Sequence, residues 1–171
     1  MKLILIAFTA MSALLAQAPD MKTPSGYART LQATLRNNVE KAAAKMPEES
    51  YGFKPSHDVR SFGELIGHIA NAEYNMCAAL AGEKNPNTTN IEKDKKTKAD
   101  ITEALKGAFA YCEKVYAGIS DSAVTDTVKM GNSERNKLGL MWYNNTHTNE
   151  HYGNLVTYMR IRGFVPPSSE R

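Results

Sequence analysis

His147 and His151 stand four residues apart in a proline-free stretch. On an α-helix, residues i and i+4 lie on one face, one turn apart. Two imidazoles at that spacing can converge on one metal ion at about 2.0–2.1 Å. His68 sits between Ile66 and Ile69 in a second apolar-periodic stretch, and a helical bundle lets facing helices send side chains to a shared ion. Three neutral imidazoles suit Zn²⁺, Ni²⁺ or Fe²⁺ rather than Mg²⁺ or Ca²⁺. They leave coordination positions for water, as in a catalytic rather than a closed structural site. The spacing alone leaves an alternative open, because such pairs also occur on helix surfaces and a single histidine such as His68 can be hydrogen-bonded in a core. Leu140, Asn144, Leu155 and Tyr158 share the face of the pair. That is a buried face with polar insertions, and buried polar groups need partners. His57 falls in the turn Pro55-Ser56-His57-Asp58 and is expected to be exposed.

A metal site of this kind uses a base within hydrogen-bond reach. Glu64 precedes His68 by one turn and faces the same way, whereas Glu150 points about 100° away from His151 on a helical wheel. The sequence selects neither, so the catalytic residues stay unassigned. Asn144 and Tyr158 could orient substrate or water, and core hydrogen bonding is expected for both.

The elements that must carry these residues follow from the proline spacing. Proline breaks helix interiors, and Pro24, Pro47, Pro55, Pro86, Pro166 and Pro167 leave three long intervals. Tyr27, Leu31, Leu35 and Val39 repeat every four residues and predict a helix from about Ser25 to Met46. Ser61-Phe62-Gly63-Glu64 is a capping-box pattern. It opens a helix with Phe62, Leu65, Ile66, Ile69, Met76 and Leu80 on one stripe and Gly82 as its stop. A third helix begins near Asp100 and carries Ile101, Leu105, Phe109, Cys112, Tyr116 and Ile119. A fourth starts near Ser133 and ends at Arg162-Gly163. Val124 to Met130 reads as a short extended piece with no visible partner strand. The lysine-rich run from Glu92 to Lys98 reads as a solvated loop leading into the third helix. The expectation is an all-α four-helix bundle.

Residues 1–18 read as a cleavable signal peptide: Met1-Lys2, an apolar run from Leu3 to Leu15, then Ala16-Gln17-Ala18 before Pro19. Cleavage leaves residues 19–171 as one domain, exported to the periplasm or medium. No run of about 18 apolar residues exists to span a membrane, so no stable membrane insertion is expected after cleavage. A net charge of +3 from 21 basic and 18 acidic residues is too weak and dispersed for a nucleic-acid binder. Two cysteines, Cys77 and Cys112, exclude a disulfide-rich scaffold. Counted from the ends of an antiparallel second and third helix, they lie at different levels, about 10 Å apart along the axes. They are therefore expected to be unbridged, since a disulfide needs Cα atoms within about 7 Å.

Several of these segments coincide with a known pattern. Ser61-Phe62-Gly63-Glu64-Leu65-Ile66-Gly67-His68-Ile69-Ala70-Asn71-Ala72-Glu73 resembles the second helix of the DinB-like superfamily. His147-Thr148-Asn149-Glu150-His151-Tyr152-Gly153-Asn154-Leu155, then Tyr158-Met159-Arg160-Ile161-Arg162-Gly163 and Pro166-Pro167, resembles its last helix and exit. Tyr51-Gly52-Phe53-Lys54-Pro55 resembles the loop before the second helix. The resemblance implies a four-helix bundle, a divalent metal held by His68, His147 and His151, and a homodimer, for which Trp142 or Tyr143 would supply contacts. Asn154 departs from the family's more usual glutamine. Characterised relatives include cytoplasmic enzymes that transfer thiols such as bacillithiol or mycothiol, and an exported protein would meet little of these.

The function expected is therefore that of a metal-dependent hydrolase or transferase with Zn²⁺ or Ni²⁺ and an unidentified small-molecule substrate. The alternative is a non-enzymatic metal-binding or helical interaction protein of the cell envelope.

Overall fold

A computed structural model describes residues 21–170. The predicted signal peptide and its cleavage point lie outside the described residues. Four long helices, α1 (Pro24–Lys45), α2 (Phe62–Ala81), α4 (Lys98–Ala117) and α5 (Lys137–Ile161), form the bundle. A short helix, α3 (Ile91–Asp94), and a two-stranded hairpin, β1 (Thr127–Met130) and β2 (Ser133–Asn136), complete it. Each long helix packs on two others: α1 and α2 both contact α4 and α5. No helix among the described residues is long and apolar enough to cross a membrane.

The helix ends follow local chemistry. Thr23 caps α1, with Pro24 in its first turn, where a missing N–H costs nothing. Ser61 and Glu64 form the reciprocal capping box expected for α2. Gly82 ends that helix at φ 69°, left-handed backbone that glycine adopts without steric cost. Thr97, rather than a residue near Asp100, caps α4. Asn136 caps α5 through a 2.6 Å bond from the Gly139 amide, so this helix starts four residues later than the sequence suggests. Those residues instead pair with the extended piece, Thr127 opposite Asn136 and Met130 opposite Ser133. Only Gly131 of the two turn residues has positive φ, the pattern of a two-residue hairpin turn with glycine first.

Two clusters of buried apolar side chains fill the bundle. One gathers Phe62, Ile66, Ile69, Phe109, Leu155 and Met159 near the α2 N-terminus. The other gathers Leu80, Cys112, Tyr116, Leu140 and Met141 at the opposite end. Burying side chains of this size supplies about 1.5–3 kcal/mol each.

Cys77 and Cys112 are joined in a disulfide, with Cα atoms 5.3 Å apart, against the expectation that they remain free. The reason is the direction of α4. A Cβ on Gly63 would meet Ile101, one on Gly107 would meet Tyr74, and Tyr74 lies against Tyr111. The two helices therefore run parallel. The connection from 82 to 97 carries the chain back along α2 before α4 begins, so levels counted from an antiparallel hairpin do not apply. Helices α1 and α5 run the other way: Arg29, Arg36 and Ala44 of α1 meet Tyr116, Glu113 and Lys98 of α4 in reversed order, and Asn144 and His147 of α5 meet Glu73 and His68 of α2 in reversed order.

Candidate metal centre

His68 lies in the second turn of α2. Its neighbour Gly67 is where α3 touches the helix. A Cβ at Gly67 would stand 2.7 Å from Glu92 Cα and 2.9 Å from Glu92 N, so only glycine permits this approach. Asn71, one turn on, holds α3 in place. Its Oδ1 accepts from the Ile91 amide at 3.0 Å and its Nδ2 donates to Asn90 at 3.0 Å. Ile91 is buried beneath. The result sets the Glu92 carboxylate 3.2 Å from His68 Nδ1, while Arg60 donates to its other oxygen at 2.9 Å. A carboxylate on Nδ1 fixes the N–H there and turns the Nε2 lone pair outward. Such outer partners orient metal-ligating histidines.

Helix α5 presents the other two imidazoles. His147 Nε2 is 3.2 Å from His68 Nε2 and 3.1 Å from His151 Nε2. Two nitrogens on one tetrahedral ion at the usual zinc–nitrogen length stand about 3.3 Å apart. The three residues also meet as a group whose ligand atoms lie within 4.8 Å of one another. The donor set fits a divalent transition metal. Without one, three ring nitrogens face each other and cannot all find a proton to share. Among the described residues the Nδ1 atoms of His147 and His151 are buried without a hydrogen-bond partner, whereas Nδ1 of His68 meets Glu92.

The electrostatics keep the rings neutral. Burial, then Arg60, holds His68 below the ordinary histidine range against the opposing pull of Glu92. Burial, then His68, lowers His147. Burial, then His147 and His68, pushes His151 down to about 4. Neutral imidazole is the form that binds metal.

An open cleft of about 670 Å³ reaches His151. Lys54, Arg60, Glu64, Glu92, Glu150 and Asn154 stand along it. Glu64 is engaged by Lys54 at 3.1 Å as well as by the cap. Glu150 lines the same cleft as His151, and its charge raises His68 and His147. The helical-wheel angle separates the Cα positions but not the reach of a long side chain. Tyr158 donates to the Arg60 carbonyl at 2.9 Å, pinning the loop that forms one wall. Asn144 lies in the core, away from the cleft lining. His57 is exposed and bonded to Asp58. Sequence reasoning missed Glu92, Arg60 and Asn71. The usable signal was Gly67, a glycine beside a histidine inside an apolar helix, which marks close backbone approach.

The model of the DinB superfamily matches residues 32–155. The chain belongs to the DinB superfamily. Solved structures agree on the fold. A DinB-like protein from Bacillus cereus ATCC 10987 superposes with a TM-score of 0.73 at 14% identity, over 86% of this chain and 98% of that one. A DinB-like protein from Bacillus subtilis gives 0.67 at 18% identity, over 85% and 99%. A conserved protein from Enterococcus faecalis gives 0.65 at 15% identity, over 80% and 95%. No curated protein matches the sequence.

Proposed function

We propose that His68, His147 and His151 bind one divalent transition metal, Zn²⁺ or Ni²⁺ by their chemistry, and that the protein is a metal-dependent hydrolase or transferase. The observation that carries this reading is that His147 Nε2 stands 3.2 Å from His68 Nε2 and 3.1 Å from His151 Nε2, the three ligand atoms all within 4.8 Å of one another, beside an open cleft. A metal held by three histidines lowers the pKa of a bound water or polarises a carbonyl. The protein's part is to keep the imidazoles neutral, hold His68 through Glu92, and admit a small molecule between the Arg60 and Glu150 walls.

The Cys77–Cys112 disulfide supports export, since such bonds persist in oxidising compartments. In that setting hydrolysis is favoured over transfer of cytosolic thiols. Tyr27 and Trp142, stacked on each other and partly exposed, and the partly exposed Tyr143 support a homodimer, which light scattering at tens of micromolar would detect as twice the chain mass. The catalytic reading is tested with a panel of esters, amides and lactones. Turnover lost on chelation and restored by Zn²⁺ or Ni²⁺ supports it. A metal-loaded protein inert across the panel leaves a metal-binding protein without this chemistry.

A further inference from the structure

Glu73 is 1% exposed, deep between α2, α4 and α5, and the proposed chemistry does not use it. Its hydrogen-bond partners are neutral. Thr148 Oγ1 donates to its Oε1 at 2.6 Å, and Asn144 Nδ2 donates to its Oε2 at 3.0 Å. Asn144 also donates to the Tyr116 hydroxyl at 3.2 Å, which itself donates to the Met141 carbonyl at 3.0 Å. Burying a carboxyl among neutral groups is costly, and an apolar side chain of similar volume would often serve stability as well or better. Stability therefore does not explain the residue. Its placement does.

Thr148 sits beside His147 and three residues before His151 on α5. Asn144 lies one turn below Thr148. Glu73 lies five residues past His68 on α2, about 7.5 Å along the helix. One carboxyl thus ties the helix that carries one imidazole to the two turns that carry the others. Metal–ligand lengths tolerate about 0.2 Å. Apolar packing alone lets helices settle by more than that, whereas two short hydrogen bonds to one group fix both rotation and slide.

The geometry points to Glu73 as a positioning residue for the three-histidine site, acting through Thr148 and Asn144 by locking α5 in register against α2. This rests on the metal reading above for its consequence, but not for its test. In metal-free protein, the imidazole NMR resonances of His147 and His151 should move in Glu73→Leu and Thr148→Val, while that of exposed His57 stays. In Co²⁺ titrations the same two variants should bind about tenfold or more weakly, the low end of losses seen when an outer partner is removed. Glu73→Gln should stay within about twofold of wild type, because its amide oxygen still accepts from Thr148. A flipped Asn144 can turn its Oδ1, which has no hydrogen-bond partner among the described residues, toward the new N–H. Leu80→Ala, a cavity at the far end of α2, should lower thermal stability yet bind Co²⁺ as wild type does. The inference is overturned if Glu73→Leu and Thr148→Val leave the two imidazoles and Co²⁺ binding unchanged, or if Leu80→Ala reproduces their loss. Should wild type itself take up no Co²⁺, the metal reading fails, and the imidazole shifts in metal-free protein still decide whether Glu73 positions them.

Discussion

Replacing Gly67 with alanine probes how the fold sets the candidate centre. The added methyl would lie 2.7 Å from Glu92 Cα, 2.9 Å from its nitrogen and 3.2 Å from the Ile91 carbonyl carbon. Ordinary carbon contacts begin near 3.5 Å. All three contacts are backbone, so no side chain can swing aside, and α3 must retreat by about 1 Å. The Glu92–His68 bond, 3.2 Å at the start, then exceeds hydrogen-bond length. Losing the carboxylate behind a metal-ligating histidine costs about 10–100-fold in affinity, or roughly 1.4–2.7 kcal/mol. Stability should change less. Overpacking costs about 1–3 kcal/mol, and alanine in place of glycine in a helix returns about 1 kcal/mol. The assay is a competitive Zn²⁺ titration of Gly67→Ala, Glu92→Ala and the double variant, with thermal unfolding of each metal-free protein. Both single variants should lose affinity to a similar degree, only Gly67→Ala should lower the melting temperature, and the double variant should bind no worse than Glu92→Ala. Wild-type affinity in Gly67→Ala, or losses that simply add in the double variant, would refute the link between the glycine and the carboxylate.

Denatured, unreduced protein should show no free thiol with Ellman's reagent. Cys77→Ser/Cys112→Ser should lose about 4 kcal/mol by the loop-entropy relation for a separation of 35 residues, and two titratable thiols in the wild type would contradict the bridge. Glu73, held by burial at a pKa of about 7 rather than 4.5, favours the protonated form in the fold. Its contribution is intact below pH 4.5 and is lost as pH rises toward 7, by up to roughly 3 kcal/mol. Chemical denaturation from pH 4.5 to 7.5 should show that trend relative to Glu73→Gln, in which it is absent; identical pH profiles would count against it. Intact mass of material exported from its native host should begin at Pro19, and retention of Met1 there would remove the signal-peptide proposal.

The long helices were legible because each rests on local chemistry: the Ser61–Glu64 cap, the Gly82 stop, and apolar stripes spaced for a bundle. The three histidines were legible for the same reason, two by their i, i+4 spacing and one by its place in an apolar helix. What escaped depends on how elements pass one another. The parallel course of α2 and α4 is decided by a connection whose path no periodicity records, and the Cys77–Cys112 bridge follows from it. Glu92 sits in a lysine-rich run that looks solvated, and its role appears only once Gly67 admits α3. The partner strand from Ser133 to Asn136 is polar and short, yet Gly131-Asn132 between two extended pieces is a hairpin signal that the helix assignment overran. Glu73 lies in Asn71-Ala72-Glu73-Tyr74-Asn75, where nothing local distinguishes a pinned carboxyl from a solvated one.

Metal stoichiometry tests the three-histidine centre most directly. Protein purified from its native compartment without added metal should be measured by elemental mass spectrometry beside His147→Ala and His57→Ala, each confirmed as folded by circular dichroism. Wild type and His57→Ala should hold about one transition-metal ion per chain, as one three-histidine site can bind, and His147→Ala should hold far less after dialysis. Equal metal content in folded His147→Ala and wild type, or none in wild type even after loading with Zn²⁺ or Ni²⁺, would contradict the centre at His68, His147 and His151.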